Sequence, residues 1–222
     1  MGLAINNLTS NSVWDYENGF HWFSDQSRIN KILAHYELYK SIIDLPGDVF
    51  ELGVFKGASL IRFLNFRALL ESEDSRRVVA FDVFGQFPRE GLSLSDDLGF
   101  IDRFEGAGGD GLSLEELDTI LSHKSFRNYE LIKGNIFDTI PVYLKTFPYT
   151  KLSLVHLDMD VKEPTEFALD ILFERLVPGG FLVIDDYNAV PGATEAVDLF
   201  IRRNNLHLKK LRNYRAPSYI VK

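Results

Sequence analysis

Two groups of acids stand out in the sequence, Asp158-Met159-Asp160 and Asp185-Asp186. Each follows an apolar run of strand length, LSLVHL at 152–157 and FLVI at 181–184. In an open α/β sheet the carboxyl ends of neighbouring strands face one crevice, so these four carboxylates are expected to converge. Crowded carboxylates repel unless a cation or a proton sits among them. An all-oxygen donor set suits Mg²⁺ or a similar hard divalent ion. N-capping of the following helices would use one Asp at each strand end and leaves the second of each pair unexplained.

A second group of residues lies upstream. ELGVFKGAS, 51–59, follows a strand pattern and opens a helical one. Gly53 and Gly57 allow a tight turn and close backbone approach to a ligand, and the helix start offers free N–H groups. Phe55 stands where a G-x-G-x-x-G motif needs its second glycine, which argues against a pyrophosphate cradle for a nicotinamide or flavin. Asp82 ends the next strand pattern, where an acid can bond a ribose diol, or simply cap its own loop. A glycine loop followed by such an acid describes an adenosine-type ligand without a pyrophosphate, as in S-adenosylmethionine.

These residues need a sheet to hold them. The pattern predicts strands over 49–54, 77–81, 129–133, 152–157 and 181–184, with helices over 58–70, 165–176 and 194–203. Strand–helix alternation implies a parallel sheet covered on both faces. Two short strands, 207–211 and 218–221, have no helix between them and are expected to form an antiparallel edge hairpin. Upstream, Ile29, Ile32, Leu33, Tyr36, Tyr39 and Ile43 mark an amphipathic helix capped by Ser24 or Asp25 and stopped at Leu45-Pro46-Gly47. Trp14, Tyr16, Phe20, Trp22 and Phe23 precede it. They are expected to cover one end of the core, the alternative being a pocket wall or a subunit contact. The Gly-rich stretch 84–113 breaks the alternation and reads as a loop that closes over the site as a lid.

Composition narrows the choice of partners. The formal net charge is −8, from 24 basic and 32 acidic residues, and no basic block is present, which disfavours nucleic acid and anionic membranes. Cysteine is absent, so disulfides, thiolate metal sites and cysteine nucleophiles are excluded. No apolar run approaches the roughly 20 residues of a membrane span, and the first residues lack a signal-peptide layout. The expected location is cytoplasmic. The Met-Gly start has no polybasic support for a myristoyl anchor. None of the five histidines pairs with another at His-x-x-x-His spacing, and His156, inside a strand run, is expected to be a packed core histidine. Ser24 and Arg28 could reach a cofactor carboxylate, with a helix cap and a solvated Arg as the plain alternatives.

The runs GDVFELGVFKGAS, VAFDVFG, GNIFDTIP, HLDMDVKEPT and VPGGFLVIDDY resemble the macrocin O-methyltransferase family over nearly the whole chain from Trp14. The resemblance implies a Rossmann-like, class I methyltransferase fold with a seven-stranded, mostly parallel sheet. It divides the chain into an N-terminal cap, 1–47, and a cofactor-binding domain, 48–222, carrying the lid at 84–113. It implies S-adenosylmethionine as methyl donor, Mg²⁺ as metal and a sugar hydroxyl as acceptor, on a nucleotide-linked deoxysugar or a glycan. By the same resemblance Glu51, Gly53, Lys56, Gly57 and Ser59 form the cofactor loop and Asp82 the ribose acid, while Gly134, Asn135 and Asp138 border the adenine. Asp158, Asp185 and Asp186 become the metal ligands and Asp160 the general base. A catechol or phenol acceptor, or a silent cofactor-binding scaffold, are the rival readings. The sequence leaves open whether copies of the chain assemble.

Overall fold

A computed structural model describes residues 2–89, 92–212 and 214–222. Its centre is a seven-stranded sheet in the order β5-β4-β3-β6-β7-β9-β8. The strands are β3 (Asp48–Leu52), β4 (Val78–Asp82), β5 (Tyr129–Lys133), β6 (Leu152–Leu157), β7 (Leu176–Ile184), β8 (Lys209–Lys210) and β9 (Ser218–Val221). The first five are parallel, whereas β9 runs antiparallel to β7 and β8 antiparallel to β9, which gives the expected edge hairpin. A separate two-stranded ribbon, β1 (Ala4–Ile5) with β2 (Leu8–Thr9), precedes the domain.

The chain winds outward from β3 through β4 to β5, then returns to place β6 on the other side of β3. This reversal makes a topological switch point, the place where open α/β sheets bind ligands. Register sharpens it. Leu52 pairs with Phe81 and Leu157, and Leu157 pairs with Ile184, so Asp82, Gly53, Asp158 and Asp185 leave their strands at one level. Hydrogen bonds from Gly53 N–H to Phe81 O, Asp158 N–H to Leu52 O and Asp185 N–H to Leu157 O extend the ladder by that step.

Strand alternation divides the core between the two faces of the sheet. Phe50, Leu52, Val155 and Leu157 pack with Leu169, Leu172, Val197 and Phe200 from α7 (Lys162–Leu172) and α8 (Pro191–Asn204). Val49, Val78 and Leu154 pack on the other side with Leu38, Leu60 and Phe63 from α2 (Gln26–Lys40) and α3 (Ala58–Leu70).

Several elements differ from the sequence reading. The helix α1 (Val13–Phe23) forms where only an aromatic leader was expected, and none of its residues is buried. Trp14, Trp22 and Phe23 are 73, 70 and 84% exposed, so they do not cover the core. The stretch 84–113 is not a loop throughout: α4 (Ser95–Gly108) occupies its centre, with Ile101 and Asp97 buried. Gly91 of that stretch and Met1 of the Met-Gly start lie outside the described residues. Two further helices, α5 (Leu114–His123) and α6 (Ile136–Thr146), were not anticipated. Pro141 lies inside α6, a residue that normally signals a break. Helix α7 starts at Lys162 and ends at Leu172, and β7 begins at Leu176 and runs through Pro178-Gly179-Gly180 as an irregular pairing with β6. Among the described residues no helix is long and apolar enough to cross a membrane.

Candidate active site

A cavity of about 380 Å³ opens at the carboxyl ends of β3, β4, β6 and β7. Of the residues singled out by sequence, Gly53, Lys56, Ser59, Asp82, Gly134, Asn135, Asp158, Asp160, Asp185 and Asp186 line it, whereas Glu51, Gly57 and Asp138 do not. Ser24 stays outside the lining, while Arg28 joins it.

The turn after β3 is built from both its glycines. Gly53 has φ +84°, and a Cβ there would lie 1.9 Å from the carbonyl oxygen of Asp158, so only glycine lets β3 and β6 end side by side. Gly57 has φ +75° and opens α3 in a left-handed conformation. Behind the turn, Glu51 is fully buried and accepts a hydrogen bond from the Ser59 hydroxyl, which ties β3 to the start of α3. Glu51 therefore supports the loop from below and does not face the cavity.

Asp82 works on the same loop. Its Oδ2 accepts from the N–H groups of Val54 (2.6 Å) and Phe55 (3.1 Å), and its Oδ1 from that of Phe84 (2.7 Å). The loop-capping alternative is thus realised, at a position that also lines the cavity. Asp82→Ala is expected to cost about 1.5–3 kcal/mol through lost charged hydrogen bonds. Chemical denaturation reads that loss; an unchanged midpoint would mean that the loop holds itself. Across the cavity, Asn135 caps α6 by accepting from Phe137 N–H at 3.1 Å.

The acids gather as expected, in a different geometry. Strand β6 stops at Leu157, and Asp160 sits beyond it in a left-handed turn at φ +65°. Asp160 is placed by its own N–H, which donates to Asp186 Oδ2 at 2.9 Å. Oxygens of Asp158, Asp185 and Asp186 all lie within 4.8 Å of one another. Burial pushes Asp158 up to about 7, with the Asp185 charge adding to it, and pushes Asp160 up to about 6. Burial and then the Asp160 charge hold Asp186 well above the usual carboxylate range. Asp185 goes the other way. Burial opposes its ionisation as well, but the His156 and His35 imidazoles and the Lys31 ammonium outweigh it and hold its carboxyl well below the usual range. At 3.9 Å both imidazoles act on Asp185 Oδ1 through space, beyond hydrogen-bond reach.

Lys31 lines the cavity and was missed by the sequence reading. Its Nζ donates to Asp185 Oδ2 at 2.5 Å and lies 3.9 Å from Asp158 Oδ2. The buried face of α2 is Ala34, His35, Leu38 and Tyr39, while Ile29 and Leu33 of the expected apolar stripe are 37 and 47% exposed. Lys31 and His35 are four residues apart and share one helix face, a spacing that only gains meaning once that face meets carboxylates. Arg62, from α3, also lines the cavity.

Residues of the 84–113 stretch form the other wall. Phe104 of α4 packs on Phe55 at 4.9 Å between ring centroids, and Lys56 Nζ donates to Gly108 O. Arg89 pairs with Asp102 (2.7 Å) and Glu105 (2.8 Å), and buried Asp97 accepts from Lys162 N–H at 2.8 Å. Lys56, expected on the cofactor, is engaged with α4 in this structure. If α4 closes over ligands, its amides should exchange more slowly with a methyl donor and acceptor bound. Equal exchange in both states would make 84–113 a fixed wall.

A parallel sheet reversed at β3, with an antiparallel hairpin at one edge and the cavity at the switch point, defines the class I methyltransferase fold. Solved structures of that fold agree: NovP, an O-methyltransferase, has a TM-score of 0.76 at 23% identity, covering 87% of this chain and 80% of that one. The calicheamicin methyltransferase CalS11 has a TM-score of 0.70 at 24% identity, covering 94% and 84%. Residues 26–212 match the macrocin O-methyltransferase (TylF) family, and the chain belongs to it. Among named relatives, an 8-demethyl-8-(2,3-dimethoxy-alpha-L-rhamnosyl)-tetracenomycin-C 4'-O-methyltransferase of Streptomyces olivaceus is 32% identical over 164 residues, 69% of this chain and 57% of that protein. Demethyldecarbamoylnovobiocin O-methyltransferase of Streptomyces niveus is 29% identical over 171 residues, 70% of this chain and 58% of that protein. Mycinamicin III 3''-O-methyltransferase of Micromonospora griseorubida is 29% identical over 204 residues, 86% and 74%. The chain thus spans less than three fifths of the length of the first two relatives.

Proposed function

We propose that this protein transfers a methyl group from S-adenosylmethionine to a hydroxyl oxygen of a sugar, with a divalent cation at the acid cluster. The observation that carries the reading is the convergence of Asp158, Asp160, Asp185 and Asp186 on one cavity beside the Gly53 turn. Family membership supports the methyl donor, and relatives named for rhamnosyl and mycinamicin methylation support the sugar.

The residues fit both groups. Gly53, Asp82 and Asn135 line the cavity at the ends of β3, β4 and β5, the half of the sheet over which an adenosine-type ligand would lie. Asp158, Asp185 and Asp186 offer hard oxygens, Asp185 Oδ1 is buried without a partner, and burial favours a positive neighbour over three free charges. When bound, the methyl donor supplies the electrophile and the cation supplies acidity to a hydroxyl that is otherwise a very poor acid.

The chain's own residues do the rest. Asp160 takes the hydroxyl proton onto its carboxylate as the new C–O bond forms and the C–S bond breaks. Asp186 holds Asp160 in its left-handed turn through the 2.9 Å bond to its N–H. Lys31 offsets part of the cluster's negative charge and fixes one oxygen of Asp185. Phe55, Phe104 and Phe87 line the cavity with apolar surface that excludes water.

The test is a panel of nucleotide sugars, glycosides and catechols, incubated with methyl-labelled S-adenosylmethionine with and without Mg²⁺. Label on sugars, lost on chelation, is the expected result. Label on catechols alone would move the acceptor to phenols.

A further inference from the structure

The side of β3 and β6 that faces α2 and α3 carries polar groups that the methyl-transfer reading does not use. Alternation sends Glu51 and His156 to this side, and α2 adds His35, one turn beyond Lys31. All three are 0% exposed. Among the described residues, both nitrogens of both imidazoles, Oε2 of Glu51 and Oδ1 of Asp185 have no hydrogen-bond partner. So many orphaned groups in one buried place call for an ion or ordered water between them.

The distances favour an ion. His35 Nε2 and His156 Nε2 each lie 3.9 Å from Asp185 Oδ1, and one ligand atom from each of the three residues falls within 4.8 Å of the other two. Two ligand atoms bonded to one tetrahedral ion at about 2.0–2.2 Å stand about 3.3–3.6 Å apart, so the 3.9 Å separations close with a shift of a few tenths of an ångström. The far nitrogen of His156, Nδ1, lies 3.6 Å from Glu51 Oε1, just beyond hydrogen-bond reach and on the side from which a carboxylate orients a metal-bound histidine. Phe63 lies against both rings, 5.3 Å from each between centroids, and forms the apolar shell of such a centre.

We propose that His35, His156 and Asp185 form a binding site for a first-row divalent transition metal, with Glu51 orienting His156. Two nitrogens and one oxygen suit Zn²⁺, Co²⁺, Fe²⁺ or Mn²⁺, whereas Mg²⁺ prefers the all-oxygen set of Asp158, Asp185 and Asp186. Asp185 belongs to both groups and lines the cavity, which gives the ion a way in. An ion here ties α2 to the ends of β6 and β7 and fixes Asp185 at the border of the reaction cavity. Glu51, Asp158, Asp160, Asp185 and Asp186 place five carboxylates in this region, and Lys31 is the one lysine or arginine paired with them among the described residues. The proposal does not depend on which acceptor is methylated.

The probe is Co²⁺, added to the chelator-treated full chain in excess Mg²⁺ so that Mg²⁺ competes for the all-oxygen set. One equivalent is expected to bind with visible absorption bands. His35→Gln and His156→Gln should each weaken Co²⁺ binding at least about tenfold, whereas Asp158→Asn should leave the bands in place. Because the histidine variants remove buried rings and could fail to fold, Mn²⁺ on the unaltered protein gives an independent reading. Its electron spin echo should show modulation from directly bound imidazole nitrogen. No nitrogen modulation, or Co²⁺ affinity unchanged in folded histidine variants, would overturn the site and leave ordered water as the filler of the gap. Intact Co²⁺ binding in a protein that methylates no acceptor would count against the proposed function and leave this site standing.

Discussion

Asp160→Asn is expected to slow methyl transfer by about 10²–10⁴-fold, the range for loss of a positioned general base, with the affinity for S-adenosylmethionine essentially unchanged. The reason is position. Asp160 reaches the cavity from a left-handed turn after β6, held by Asp186, and it lies outside the set of three acids whose oxygens cluster within 4.8 Å. Asn keeps the shape and removes the basic oxygen. Asp185→Asn should fail differently. It removes a charge from the clustered set and from Lys31, so it should raise the Mg²⁺ concentration needed for half-maximal rate, and added Mg²⁺ should restore part of the activity. Initial rates against Mg²⁺ for the two variants make the comparison. An identical response to Mg²⁺ would show that the acids act as one unit with no division between base and ligands.

Arg76→Met should destabilise the fold by about 3–5 kcal/mol, the usual cost of leaving one member of a buried ion pair alone. Arg76 is 5% exposed and lies at the end of the sheet opposite the cavity. Its Nε bonds both oxygens of Glu71 at 3.0 Å, its Nη1 bonds Ser153 Oγ (2.6 Å) and Gly47 O (2.9 Å), and its Nη2 bonds Ile42 O (3.0 Å). One side chain thus ties the end of α2 to the starts of β3, β4 and β6. Methionine fills the volume but leaves the Glu71 carboxylate with only the Tyr39 hydroxyl, 2.6 Å from Oε2. For a chain of this length the loss corresponds to a fall in melting temperature of about 6–20 °C. Calorimetry checks it, and a shift below about 2 °C would mean that the buried pair adds little beyond its hydrophobic replacement.

The sheet was legible in the sequence because its strands are short apolar runs closed by turn residues, and burial on both faces leaves that pattern intact. All six residues of β6 are buried, as a run such as LSLVHL requires. The acids were legible for a related reason: a carboxylate directly after a buried strand has few uses. What escaped the sequence depends on partners distant along the chain. Helix α6 was hidden by Pro141, which stands in its second turn and costs it one i→i−4 hydrogen bond. Helix α4 was hidden by glycines, though Asp97 anchors it against α8, where a Cβ on Gly192 would lie 2.1 Å from the Asp97 carboxylate. Lys31 and His35 were not singled out because hydrophobicity alone set the helix phase. They are on the inner side because the groups facing them are Asp185 and His156. His156 was correctly read as buried, but its neighbours are Glu51 and Asp185 as well as apolar side chains.

The most direct measurement follows the methyl carbon itself. S-adenosylmethionine carrying a ¹³C-methyl group, mixed in single turnover with excess enzyme, Mg²⁺ and a pool of nucleotide-linked and glycosidic deoxysugars, gives one NMR signal for the sulfonium methyl at the start. The account predicts that this signal is replaced by that of a methyl ether on a sugar oxygen, and that Asp160→Asn retains the bound donor while the ether signal grows at least about a hundredfold more slowly. A ¹³C-methyl group that stays on sulfur with every sugar, or that arrives at a nitrogen or an aromatic oxygen, would contradict it.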